Sequence, residues 1–266
     1  MTTSGVPATT EVWKMSSEAI VTQHLNSLGL SGALEEFHRQ LNEPASLSLG
    51  FEERLAMILG AQVDLRVNRR IQRRIKEAEL KVLAHPGEID FSVDRGVPKA
   101  KVAEILSLGF LRRHHNLLVT GPTGCGKTYL ICAIAHSAIV ADHTVRYFRL
   151  SHLLEQITIA RADGTYKSFL TKIRSKDVIL IDDFGLAPIA SRGSRELLDI
   201  LDERIGVGST IIASQLPVST WYQSFEDLTV ADSILDRLVH DSMRLEMKGE
   251  SMRKIRAQHS EMGDGS

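Results

Sequence analysis

The sequence predicts an α/β fold: a P-loop core with a parallel sheet flanked by helices, preceded by a small all-helical N-terminal domain. Three observations carry this expectation. From Asn116 onward, short β-branched runs (NLLVT at 116–120, TVRYF at 144–148, VILID at 178–182, STIIAS at 209–214) alternate with helical stretches. The first run leads into Gly121-Pro-Thr-Gly-Cys-Gly-Lys127-Thr128, which matches G-x-x-x-x-G-K-[ST] and opens a helix over 127–141. Residues 16–83, in contrast, show no strand-like alternation.

Taken in order, Ala19, Ile20, Leu25 and Leu28 carry apolar spacing that ends at Gly29 and Gly32. A second helix fits 33–41 and stops before Pro44. A long third helix begins near Phe51, with Gly50 at its cap and Glu53 three residues on. Pro86, Gly87, Gly96 and Pro98 make 85–99 a linker. A fifth strand is expected at 243–247. The expected organisation is therefore a tail (1–15), a helical domain (16–84), the linker, an α/β domain (100–256) and a second tail (257–266), both tails reading as disordered.

Bulk composition limits the function. With 43% hydrophobic and 24% charged residues in 266, the chain reads as a globular protein with a real core. The longest nearly apolar run, 130–141, is interrupted by His136 and is far shorter than the roughly 20 residues a membrane span requires. No membrane role is expected. Only Cys125 and Cys132 are present, without partners at metal spacing, which points to reduced thiols in a cytoplasm. Aromatic content of 5% argues against an extended base-stacking platform.

The 121–128 segment needs its residue types. Gly121, Gly124 and Gly126 let backbone N–H groups curl around phosphates, with Pro122, Thr123 and Cys125 between them, and the phosphates rest on a helix N-terminus. Lys127 supplies a compact cation to the β/γ-phosphates, and the Thr128 hydroxyl ligates Mg²⁺. VILIDDFG at 178–185 ends a buried strand in two carboxylates. Asp182 is the expected Mg²⁺ partner, and Asp183 stands where a base orients attacking water. A polar residue closing the 209–214 strand would sense the γ-phosphate; Gln215 is the first choice and Ser214 the second. Arg237, on a helix with apolar neighbours Ile234, Leu235 and Leu238, is a candidate arginine finger acting on a neighbouring subunit.

These residues together resemble the IstB family, the ATP-dependent helpers of insertion-sequence transposition, and more distantly the DnaC helicase loaders and DnaA initiators of the AAA+ class. The resemblance rests on FEERLAMIL (51–59), LRRHHNLLVTGPTGCGKTYL (111–130), STIIASQLPVSTW (209–221) and ADSILDRLVHDSMRLEMKGESMRK (231–254), and spans about 18–256. It implies ATP and Mg²⁺ as cofactors and slow hydrolysis, Asp183 standing where wider AAA+ proteins carry glutamate. It implies a homo-oligomer with ATP at subunit interfaces, double-stranded DNA and a cognate transposase as partners, and a bacterial cytoplasmic location, on the nucleoid when DNA-bound. A helicase loader and a small-molecule P-loop kinase remain as alternatives, although the arginine-rich lid common in such kinases is missing.

One further feature concerns DNA. The stretch 66–81, RVNRRIQRRIKEAELK, sits in a chain of net charge -1. At 100° per residue, Arg66, Arg69, Arg70, Arg73, Arg74 and Lys76 fall within an arc of roughly 160°, opposite Val67, Ile71, Ile75 and Ala78. Five arginines to one lysine favour phosphate contact, because the planar guanidinium pairs two oxygens at once. The expectation is a cationic stripe on duplex backbone, with little sequence preference.

Overall fold

The computed structural model describes residues 16–92 and 94–249. Expectations about the two tails and about the 231–254 segment beyond 249 fall outside them. The chain divides into two compact units, 1–72 and 73–266. The division lies within a helix, ahead of the 84/85 boundary expected from sequence, because residues just after 72 bind the second unit. Arg74 pairs with Asp142 at 2.7 Å, and Arg146 pairs with Glu79 at 2.6 Å.

In the first unit, α1 (Ser17–Ser27) is capped by Ser16, whose hydroxyl accepts from the Ala19 N–H. Helix α2 (Ser31–Asn42) starts earlier than predicted and takes Gly32 inside it. A Cβ at Gly32 would lie 2.8 Å from the Ala61 carbonyl oxygen, so this glycine permits close approach to α3 (Phe51–Ala78). The start of α2 is finished by α3: buried Gln62 accepts from the Gly32 and Ala33 N–H groups at 2.9 and 3.3 Å. Gln40, fully buried, donates to the Arg54 carbonyl and accepts from its Nε. The α3 start is as expected, with Glu53 accepting from the Gly50 N–H at 3.1 Å.

The second unit is built on five parallel strands in the order β2-β3-β4-β1-β5. They are β1 (Asn116–Thr120), β2 (Val145–Arg149), β3 (Val178–Phe184), β4 (Ser209–Ser214) and β5 (Ser242–Glu246), the last one residue ahead of expectation. Helix α4 (Lys99–Leu106) precedes β1, and α5 (Lys127–Val140) crosses one face of the sheet. The other face carries α6 (Leu150–Ala162), α8 (Ser191–Asp202) and α9 (Leu228–Val239); α7 (Tyr166–Arg174) packs beside α6 and α8. There Leu118, Ile179, Ile181 and Ile212 from the strands meet Leu153, Ile157, Leu197, Ile200 and Ile234 from the helices. Burial on both faces explains the continuous apolar runs. At the foot of the sheet, the Asn116 side chain donates to the Arg237 carbonyl and accepts from the Thr210 N–H, both at 2.9 Å.

Candidate functional site

The strand order puts β4 between β1 and β3, so three strand ends converge on the loop between β1 and α5. Gly121 has φ 149°, and a Cβ there would run into the Met247 carbonyl beyond β5. Lys127 opens α5 and is buried; its ammonium donates to the Gly121 and Pro122 carbonyls at 2.7 and 2.8 Å. Burial pushes the Lys127 pKa below the ordinary lysine range, against the opposing pull of nearby negative charge that includes Asp182 and Asp183.

Thr128 Oγ1 donates to Asp182 Oδ2 at 2.8 Å, which brings the two expected Mg²⁺ ligands together. The donors here are hydroxyl and carboxylate oxygens, which suit a hard cation that keeps phosphate and water as its other ligands. Among the described residues no cluster of three or more His, Cys, Asp or Glu could hold a metal by itself.

Asp183 stands beside Asp182 with a backbone φ of 58°. The β3–β4 register slips between Ile181 and Phe184 at this point. Such a conformation costs of order 1–3 kcal/mol in a non-glycine residue, and it occurs where the carboxylate leaves the ladder. Asp183 Oδ2 is held by the Arg149 guanidinium, Nε and Nη2 both at 3.0 Å.

Gln215 lies directly after β4, and its Oε1 accepts from Thr123 Oγ1 at 2.5 Å. The Ser214 hydroxyl is instead committed to the fold: it donates to the Phe184 carbonyl at 2.7 Å and accepts from the Leu216 N–H. Of the two sensor candidates, Gln215 is the one that touches the phosphate loop.

Arg237 is elsewhere. Its carbonyl meets Asn116 at the start of β1, whereas the loop follows the end of β1, about 15 Å away at 3.3 Å per residue. Its guanidinium binds Asp202, and its Nη1 donates to the Ser233 carbonyl at 2.8 Å. Arg237 does not serve the loop of its own chain.

Several site residues had no sequence signal. Tyr147 donates to Asp182 Oδ2 at 2.9 Å; burial and that carboxylate push its phenol well above the ordinary tyrosine range. Arg149 and Tyr147 both lie on β2, whose register places Arg149 opposite Asp182. Arg95 reaches Gly126: its Nη1 would be 3.3 Å from a Cβ there. A cavity of about 260 Å³, lined by Ile89, Phe91, Val97, Tyr129 and Met247 among others, also takes in Arg95.

The basic face needs one correction. In the first unit, Arg66, Arg69 and Arg70 are exposed, and Arg69 also donates to Ser31 Oγ at 3.2 Å. In the second, Arg73 and Lys76 are exposed, Arg73 lying 3.7 Å from Glu77. Arg74 does not belong with them. Its side chain is 17% exposed and paired with Asp142, because α3 turns that position toward the second unit's own surface.

A phosphate loop between β1 and α5, an acidic pair ending β3, and a polar residue just after the intervening β4 define a P-loop nucleotide-binding fold of the AAA+ type. The chain belongs to the family described as IstB-like ATP binding protein, which matches residues 23–260. Among curated relatives, the insertion sequence ATP-binding protein y4uH of Sinorhizobium fredii is 38% identical over 232 residues, covering 87% of this chain and 94% of its own. Its counterpart y4pL is 36% identical over 230 residues, covering 86% and 94%. Among solved structures, DnaI aligns with TM-score 0.52 at 22% identity, over 62% of this chain and 90% of its own. The DnaC helicase loader gives 0.50 at 18%, over 60% and 95%. These two likenesses concern the fold. Among the described residues no helix is long and apolar enough to cross a membrane.

Proposed function

We propose that this chain is an ATP-dependent, DNA-binding helper of insertion-sequence transposition. It assembles on duplex DNA with ATP, recruits or stimulates a cognate transposase, and resets by hydrolysis. The single observation that carries the nucleotide part is the Thr128–Asp182 contact at 2.8 Å, with Gln215 reaching Thr123 across the loop. The names of the curated relatives, which place them in insertion sequences, support the biological setting.

In this reading the loop N–H groups and the α5 N-terminus hold the triphosphate, and the Lys127 ammonium leaves its carbonyls for the β/γ-phosphates. The purine takes the cavity bounded by Phe91 and Tyr129. A magnesium ion held by Thr128 and Asp182 would neutralise charge on the phosphates. Asp183 orients the attacking water, Gln215 monitors the γ-phosphate, and Arg237 completes a neighbour's site. The exposed arginines of α3 contact DNA phosphates. Of the two alternatives, the helicase loader has a likeness of fold alone in its favour.

The test is hydrolysis with and without duplex DNA, alongside sizing with ATP. Lys127→Ala is expected to abolish ATP binding. Asp183→Asn is expected to keep binding while turnover falls by about 10²-fold or more, the scale of a lost general base. Parent-rate hydrolysis by Asp183→Asn refutes that assignment.

A further inference from the structure

Residues 79–88 leave α3 and run over the second unit as a strap held at several points. Arg146 of β2 pairs with Glu79 at 2.6 Å and donates to the Glu77 carbonyl at 2.8 Å. The Cys132 thiol of α5 meets the backbone of Lys81 and Val82. The His85 ring lies 4.5 Å from the His136 ring, and Tyr129 donates to Glu88 at 3.2 Å. These contacts aim one side chain at the acidic pair. Lys81 Nζ lies 3.6 Å from Asp182 Oδ2 and 4.0 Å from Asp183 Oδ2, and the side chain is 38% exposed.

We propose that Lys81 is a built-in counter-cation of the Asp182–Asp183 pair, delivered by the strap, and that it sets how readily the pair accepts a divalent metal. This rests on the nucleotide reading of the same site. Asp182 is 1% exposed, and a buried carboxylate beside a second one needs a compensating charge. Lys81 supplies one from within the chain, together with Arg149 on Asp183. A metal bound through Asp182 must tolerate or displace that ammonium, since like charges a few ångströms apart repel. Metal alone is therefore disfavoured. A triphosphate brings the negative charge that tips the balance, so that metal and nucleotide enter together. Lys81 is a positioning residue for charge and makes no contact that the chemistry of phosphoryl transfer requires. Arg146 is the remote half of the device, because it holds the strap while lying outside the phosphate loop.

The experiment uses the full chain and two probes. The first is the Mg²⁺ concentration giving half-maximal binding of a fluorescent, non-hydrolysable ATP analogue. The second is Mn²⁺ binding without nucleotide, read by electron paramagnetic resonance. Lys81→Met, which keeps the apolar stem, is expected to lower the Mg²⁺ half-point by about tenfold, the scale of one neighbouring charge largely screened by solvent, as suits a side chain 38% exposed. It should also reveal Mn²⁺ binding that the parent lacks. Lys81→Arg should behave as the parent. Arg146→Ala should shift the half-point in the same direction, and it serves if Lys81→Met fails to fold. A folded Lys81→Met protein with an unchanged or raised half-point overturns the proposal, as does an unshifted Arg146→Ala. A parent chain that binds no analogue overturns this proposal and the nucleotide reading together; analogue binding with no Lys81 effect overturns this one alone.

Discussion

Lys127 shows how one buried group couples the site to pH. In the free protein, burial holds its pKa below the ordinary lysine value. Phosphate oxygens around the ammonium would raise that pKa in the complex. The sign follows: affinity is complete below the free-protein pKa and is lost as pH rises from that value toward the bound one. Nucleotide affinity should therefore begin to fall at lower pH than an ordinary lysine would dictate, with proton uptake on binding in that range. Titration calorimetry in two buffers of different ionisation heat measures the uptake, and its absence from neutral to alkaline pH would contradict the assignment. Lys127, Thr128 and Asp182 are legible in one dimension because loop, helix start and strand end are contiguous patterns. Arg149, Tyr147 and Lys81 are not. Each reaches the carboxylates only because β2 lies beside β3 and the strap crosses α5, and strand order is not written in any short window.

At the scale of elements, the helical unit depends on side chains that finish another helix's backbone. Gln62 is the clearest, accepting from two N–H groups at the α2 start. Gln62→Leu leaves both donors buried without a partner and should cost about 2 kcal/mol, within the usual penalty for orphaned buried groups. Urea denaturation measures it, and nucleotide affinity should not change. Helix α3 carries the DNA expectation. Replacing Arg66, Arg70 and Arg73 by Gln should weaken duplex binding about equally on unrelated sequences. The slope of log affinity against log salt should become shallower by about 0.9 per phosphate contact removed. An unchanged slope would make this face a solvated one. The amphipathic period placed α3 correctly, yet it could not show that Arg74 is spent on Asp142, a residue far along the chain.

For the whole molecule, the phosphate loop and Arg237 lie at opposite ends of the same parallel strands. Arg237→Ala should leave single-chain ATP affinity nearly intact while abolishing ATP-driven assembly and its hydrolysis. Mixing Arg237→Ala with Lys127→Ala subunits should restore part of the activity, since each then lends its intact half to the other. No recovery at any ratio, with both variants folded, would assign Arg237 a structural role on Asp202. The separation of these two ends has a consequence for symmetry. A chain that offers its arginine at one end and its nucleotide at the other joins head to tail, and such a contact cannot be satisfied by a two-fold dimer. In the proposed assembly the row of subunits then has a direction. One terminus shows an unused arginine and the other an unserved nucleotide, so a partner recognising either reads left from right on a DNA duplex whose backbone alone has no preferred sense.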